Sequence, residues 1–199
     1  VPGAVNGGEN GHVSPRGSSR AAARVRPQNL LALPSPSVTT DVQASVELTP
    51  LTGEGRPISE WTTNFHLAIV VLDPYTNESS WIIDTALRIL RSYSEADVRI
   101  ALMVTATVEE AREYVGPLAS EILVYADPDR AAARAFGLEV LPAFVHINQA
   151  HQVETMAQGW NPAEWASVAA NLSARMDWTV PQIPDTGDPS PFAGTPVGS

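Results

Sequence analysis

Four polar side chains stand together at Thr76-Asn77-Glu78-Ser79, directly after the apolar run Leu67-Ala68-Ile69-Val70-Val71-Leu72 and ahead of a stretch with helical periodicity. A serine at a helix N-terminus gains from the positive end of the helix dipole, but as a nucleophile it needs a base within hydrogen-bond reach. The histidines are His12, His66, His146 and His151. His66 opens the strand at the end opposite the loop, and His146 lies beyond Pro142 by roughly 13 Å of extended chain, at ~3.3 Å per residue. His151 is farther off, and His12 lies in an N-terminal tail. Glu78 offers a carboxylate base, but the simpler expectation is that Thr76, Asn77 and Ser79 cap the helix while Glu78 complements its dipole. No catalytic residue is assigned on this pattern. His146 and His151 flank a hairpin as exposed polar positions without a neighbouring carboxylate or thiol, a poor metal site, so no metal and no cofactor are expected. Glu109, Glu110 and Glu113 read as a solvated helix face.

The chain has no cysteine. That removes disulfides, thiolate nucleophiles and cysteine-ligated metal or iron–sulfur sites, and leaves the redox compartment unread. With 199 residues, 44% of them hydrophobic, it suits one domain with tails. The net charge of −10 argues against nucleic acid and against anionic membrane surfaces. All basic residues are Arg, a usage that suggests a GC-rich bacterial genome. No apolar stretch approaches the ~18 residues of a membrane span, and no signal-peptide core is evident. Cytoplasmic is the default expectation, with export left open.

The elements that must position the polar cluster follow from periodicity. Residues 1–40 are rich in Gly, Ser, Pro and Ala, with Arg16, Arg20, Arg24 and Arg26 against a single acid, Glu9, and read as a disordered arm. Residues 181–199 are Pro-rich and read as a second disordered or surface-hugging tail. Between them, a domain of residues 41–180 opens with an edge strand at 42–48 and a turn at 53–57. A strand buried on both faces follows at 66–72, then a helix at 77–92 and a second buried strand at 98–104. Thr107 with Glu109 and Glu110 starts a helix that ends at Gly116-Pro117. A short strand spans 122–125. Asp127-Pro128 opens a helix as N-cap and first position, ending at Gly137. A strand pair at 142–148 and 152–156 precedes a final helix opened by Asn161-Pro162. Strands alternating with helices, then a hairpin and helix, imply a mixed sheet covered on both faces.

This order resembles the thioredoxin-like superfamily. It is most similar to the TlpA, redoxin and peroxiredoxin branch, to which the strand and helix within 98–116 correspond as an extra β-α insertion. The resemblance rests on the first buried strand and its loop, on Tyr125-Ala126-Asp127-Pro128-Asp129 entering a helix that ends Ala135-Phe136-Gly137-Leu138, and on the Pro142 loop with its hairpin. It implies a three-layer α/β/α fold and a cis Leu141–Pro142 bond. It also places Thr76 and Ser79 at the family's two active-site cysteine positions, with Ser79 where sulfur stands in either the thioredoxin or the peroxiredoxin reading. A hydroxyl does not replace a thiolate in disulfide exchange or peroxide reduction. The resemblance therefore implies a redox-inactive protein, not a thiol enzyme.

The expected function is binding of a protein or peptide partner through the 75–79 loop and the 141–142 loop, with Tyr75, Asn77, Glu78, Trp81 and Leu141 as the binding surface. The first alternative is an accessory subunit of an assembly held by residues 1–40 and 181–199. The second is a non-thiol enzyme descended from a redoxin. Trp61 is a further candidate for a ligand surface, while Trp160 and Trp165 are expected to pack.

Overall fold

The computed structural model describes residues 40–198; the Arg-bearing arm falls, but for Thr40, outside the described residues. A strand with one exposed face alternates, whereas His66–Leu72 (β4) is apolar from Leu67 onward, because it is buried on both sides. Ala68, Val70 and Leu72 pack to one face, and Leu67, Ile69 and Val71 to the other. Preceding it are β1 (Thr40–Asp41), β2 (Glu47–Pro50), β3 (Arg56–Pro57) and a one-turn helix α1 (Ile58–Trp61). The edge strand expected at 42–48 is thus displaced. Val42 leaves the ladder as a buried anchor, and pairing resumes at Glu47.

Beyond β4 come α2 (Asn77–Arg91), β5 (Val98–Val104), α3 (Val108–Val115), β6 (Leu123–Ala126), α4 (Ala131–Ala135), β7 (Val140–Leu141), β8 (Ala143–Ile147), β9 (Gln152–Gln158), α5 (Pro162–Met176) and β10 (Thr195–Pro196). The main sheet runs β1-β9-β8-β4-β5-β6-β2-β3. β4, β5 and β6 are mutually parallel, and β8 joins β4 antiparallel. Helices α2, α3 and α5 cover one face, where Ile82, Ile89 and Leu90 meet Val70 and Leu102, and Trp165 packs 5.4 Å from Phe144. On the other face α1 and α4 contribute Ile58, Ala132 and Ala133, with Phe136 just after α4, over Ile69, Met103 and Val145. This is the three-layer arrangement expected from the element order.

Local side-chain caps start two of the helices. Thr107 and Glu110 form a reciprocal capping box on α3, and the Asn161 side chain accepts the Ala163 N–H at the start of α5. The start of α4 differs from expectation. Asp127 does not serve as its N-cap, because Arg130 takes that position in left-handed backbone at φ 55°. The Asp127 carboxylate reaches over it to accept the Ala132 and Ala133 N–H groups. Satisfying two helix-end donors with one buried carboxylate accounts for the longer entry, and leaves Pro128 ahead of the helix.

The Pro-rich segment 181–198 is not disordered: it hugs the body. Thr195 and Pro196 pair antiparallel with Leu141 and Val140, Phe192 bridges Trp160, and Val197 is buried. Arg88 and Thr85 of α2 hold Asp188 of that segment at 2.8 Å. Low complexity hides this docking, because its partners are backbone edges and polar side chains instead of an apolar stripe.

Candidate functional site

The loop between β4 and α2 is built on Asp73. Its carboxylate Oδ1 accepts the Tyr75 N–H at 3.0 Å, its carbonyl accepts from the Thr76 hydroxyl at 3.0 Å, and its own N–H donates to Ser79 Oγ at 2.8 Å. Ser79 is fully buried, and Thr76 Oγ1 lies 3.3 Å from it. The capping expected of Thr76, Asn77 and Ser79 is therefore corrected. Thr76 occupies the N-cap position by its backbone, with no side-chain bond to the helix. The hydroxyls of Thr76 and Ser79 turn back and tie the loop to the strand end. Short hydroxyls close such local turns readily, which here takes precedence over capping.

Asp73 Oδ2 forms an ion pair with Arg130 Nη2 at 2.8 Å, and the same guanidinium also donates to the Val197 carbonyl. One arginine thus links the loop, the start of α4 and the C-terminal segment. Asp73 and Arg130 were not singled out from sequence, because neither stands in a periodic pattern and their contact spans distant elements.

Register places Pro142 beside the loop. Ala143 pairs with Val71, so the preceding residue faces the end of β4 where Asp73 follows. The Leu141–Pro142 bond is cis. Leu141 and Pro142 are both buried, the former under β10. Tyr75 and Trp81 are the exposed members, at 65% and 57%, with Asn77 exposed and Glu78 and Thr76 half-buried. The Glu110 carboxylate beside the Tyr75 phenol pushes it up, while Glu110 is held below the usual carboxylate range chiefly by the Thr107 hydroxyl. Phe192 of the C-terminal segment stands edge-on to Trp81 with ring centroids 5.8 Å apart. Trp61 sits elsewhere, half-buried against Tyr125.

No histidine serves Ser79. His146 pairs with Ala68, well down the sheet from Asp73. The expectation that it is an exposed hairpin position is corrected: His146 is fully buried. Its Nε2 lies 2.8 Å from His66 Nδ1, its Nδ1 2.9 Å from Asn171 Oδ1, and Glu154 stands 3.8 Å away, itself paired with Arg175. Burial pushes the His146 imidazole down to about 4. His151 is separate, bonded to Thr62 at 2.8 Å. Among the described residues no three ligating side chains converge on a metal position.

Parallel β4-β5-β6, an antiparallel β8-β9 hairpin, a helix-opening loop after the central strand and a cis-proline beside it define a thioredoxin-like fold. Solved structures of redoxins share it. The putative thiol:disulfide interchange protein DsbE of Chlorobium tepidum superposes with a TM-score of 0.57 at 14% identity, over 69% of this chain and 97% of that one. A putative thioredoxin from Neisseria meningitidis gives 0.55 at 17% identity, over 68% and 91%. A cysteine-to-serine variant of Xanthomonas campestris peroxiredoxin Q gives 0.55 at 15% identity, over 71% and 97%. At these identities the likeness is one of fold. No family model and no curated protein sequence matches this chain.

Proposed function

We propose that this is a redox-inactive thioredoxin-like protein that binds a protein partner at the loop carrying Tyr75 and Trp81. The observation behind this reading is the arrangement of the loop itself. The positions that resemble the family's cysteines hold hydroxyls bonded inward, while two large aromatic side chains beside them face outward. Disulfide exchange and peroxide reduction need a thiolate, and the chain has none. Aromatic side chains supply contact area at small entropic cost and are the commonest interface anchors. Glu78 and Glu110 beside Tyr75 favour a partner whose rim is basic.

The test has two arms. Purified protein should turn over neither insulin disulfides nor hydrogen peroxide. In pull-downs from its source cells, Tyr75→Ala with Trp81→Ala should reduce the captured partner at least tenfold. A partner retained by this double variant would move the docking site off the loop. The assembly-subunit reading has less support from the C-terminal side, since residues 182–197 are engaged with their own domain.

A further inference from the structure

We propose that the segment Phe192–Val197 is a gate in cis: a strand of the chain's own tail that occupies the backbone edge beside Leu141–Pro142 and must lift before an extended partner strand can pair there. It rests on the docking reading above only for its biological consequence; the opening and the vacated seat are properties of this chain alone.

The seat is specific. β7 lies outside the main sheet, and its strand partner among the described residues is β10. Thr195 pairs with Leu141 and Pro196 with Val140, and the Val197 N–H donates to the Glu139 carbonyl at 2.8 Å. This is strand addition to an exposed edge, here by the protein's own chain. Proline is compatible with an edge strand, where its missing donor is not needed. Gly194 holds φ +79°, and a Cβ there would stand 2.4 Å from the Leu141 carbonyl oxygen, so the close approach requires glycine. Val197, 3% exposed, fills a gap in the lower core layer alongside Leu141 and Val145.

The seat is also shallow. Among residues 181–198 only Val197 is buried, the β7 ladder comprises two residue pairs, and one further bridge joins Phe192 to Trp160. Segments with few buried contacts open at far lower free energy than core strands. Upstream, Asp188 is clamped to Arg88 and Thr85, so residues beyond it can leave without freeing the rest of the tail. The gate touches both halves of the candidate site. Phe192 stands against Trp81, and the Val197 carbonyl takes a hydrogen bond from Arg130, the partner of Asp73. A competing ligand would be an extended peptide with glycine at the Leu141 carbonyl and an aliphatic side chain for the Val197 seat.

Two measurements on the full chain test this. By hydrogen exchange, the Val197 amide should exchange at least a hundredfold faster than those of Phe144 and Val145 in β8. Equal protection would mean that the segment opens only with the whole fold, and would overturn the gate. In the second, a fluorescein-labelled peptide of residues 189–198 is titrated into native protein, Gly194→Val and Val197→Asp. Both variants lie in the segment itself, and either suffices if the other misfolds. The variants should bind the peptide at least tenfold more tightly than native protein does, and unlabelled peptide should compete. Equal binding by all, or none by folded variants, would overturn the proposal. Partner capture through Tyr75 and Trp81 is not read in either measurement, so the two proposals fail independently.

Discussion

Ser79 Oγ accepts a buried backbone N–H from Asp73, so its removal leaves a donor without a partner. Ser79→Ala should cost about 1–3 kcal/mol, the range for an unsatisfied buried polar group, measured by urea unfolding. A loss below about 0.5 kcal/mol would deny the hydroxyl its structural role, since surface substitutions already span that range. The second residue-scale prediction concerns His146. Its neighbours are His66 from β4, Glu154 from β9 and Asn171 and Arg175 from α5. Above pH 6.5 the imidazole is neutral in both folded and unfolded chains. Below it the unfolded chain takes up a proton that the native one, held down to about 4 by burial, refuses. Stability therefore falls as pH falls from 6.5 toward 4, by about 2 kcal/mol between pH 7 and 5 from this group. His66, also lowered by burial, acts in the same direction. Urea midpoints across that interval should show the slope in native protein and a shallower one in His146→Gln; equal slopes would place the proton elsewhere. Neither role was legible from sequence. The register that puts His146 between His66 and Asn171 depends on packing β8 against both β4 and α5.

Elements were legible where local chemistry and burial agree. β4 from Leu67 and β5 from Ile100 onward are continuous apolar runs because helices cover both faces of the sheet, and the bounds of both strands coincide with the expected ones. α3 announces itself through Thr107 and Glu110, which form the reciprocal bonds of a capping box. Thr107→Ala should therefore cost about 1 kcal/mol, read from thermal or urea unfolding, with the fold retained. An unchanged midpoint would mean that water replaces the hydroxyl at that end. Helix starts differ from expectation where a loop-closing bond competes with a capping one. At α2 the Thr76 and Ser79 hydroxyls serve the strand end in place of the helix, and at α4 the Asp127 carboxylate serves amides beyond a left-handed Arg130. The Ser79 hydroxyl and the Asp127 carboxylate accept from backbone amides as a cap does, whereas the Thr76 hydroxyl donates to a carbonyl.

At the scale of the molecule, a sheet of thioredoxin-like order is closed over by its own C-terminal segment, which runs from α2 past Trp160 and Trp81 to the cis-proline edge. The sheet was readable because burial writes periodicity into sequence, whereas the segment's path was not. Its anchors are a glycine at positive φ, a two-pair ladder and one buried valine, scattered among prolines. What fixes the near end of that path is Asp188. Burial opposes its charge, but the Asp185 N–H, the Thr85 hydroxyl and the Arg88 guanidinium outweigh this and hold the carboxyl below the usual range. A carboxyl so depressed contributes stability that is complete at neutral pH and is lost only as pH falls through its native value. Asp188→Asn should reproduce that loss at pH 7. Removing one charge from a partly exposed pair costs about 1–2 kcal/mol, equivalent to a roughly 5- to 30-fold rise in opening of the tail at that clamp. Hydrogen exchange at the Asp188 amide, which donates to the Asp185 carbonyl, should quicken by that factor in Asp188→Asn, with the near-ultraviolet circular dichroism of the core tryptophans unchanged. Exchange at the native rate would show that the clamp on α2 contributes nothing.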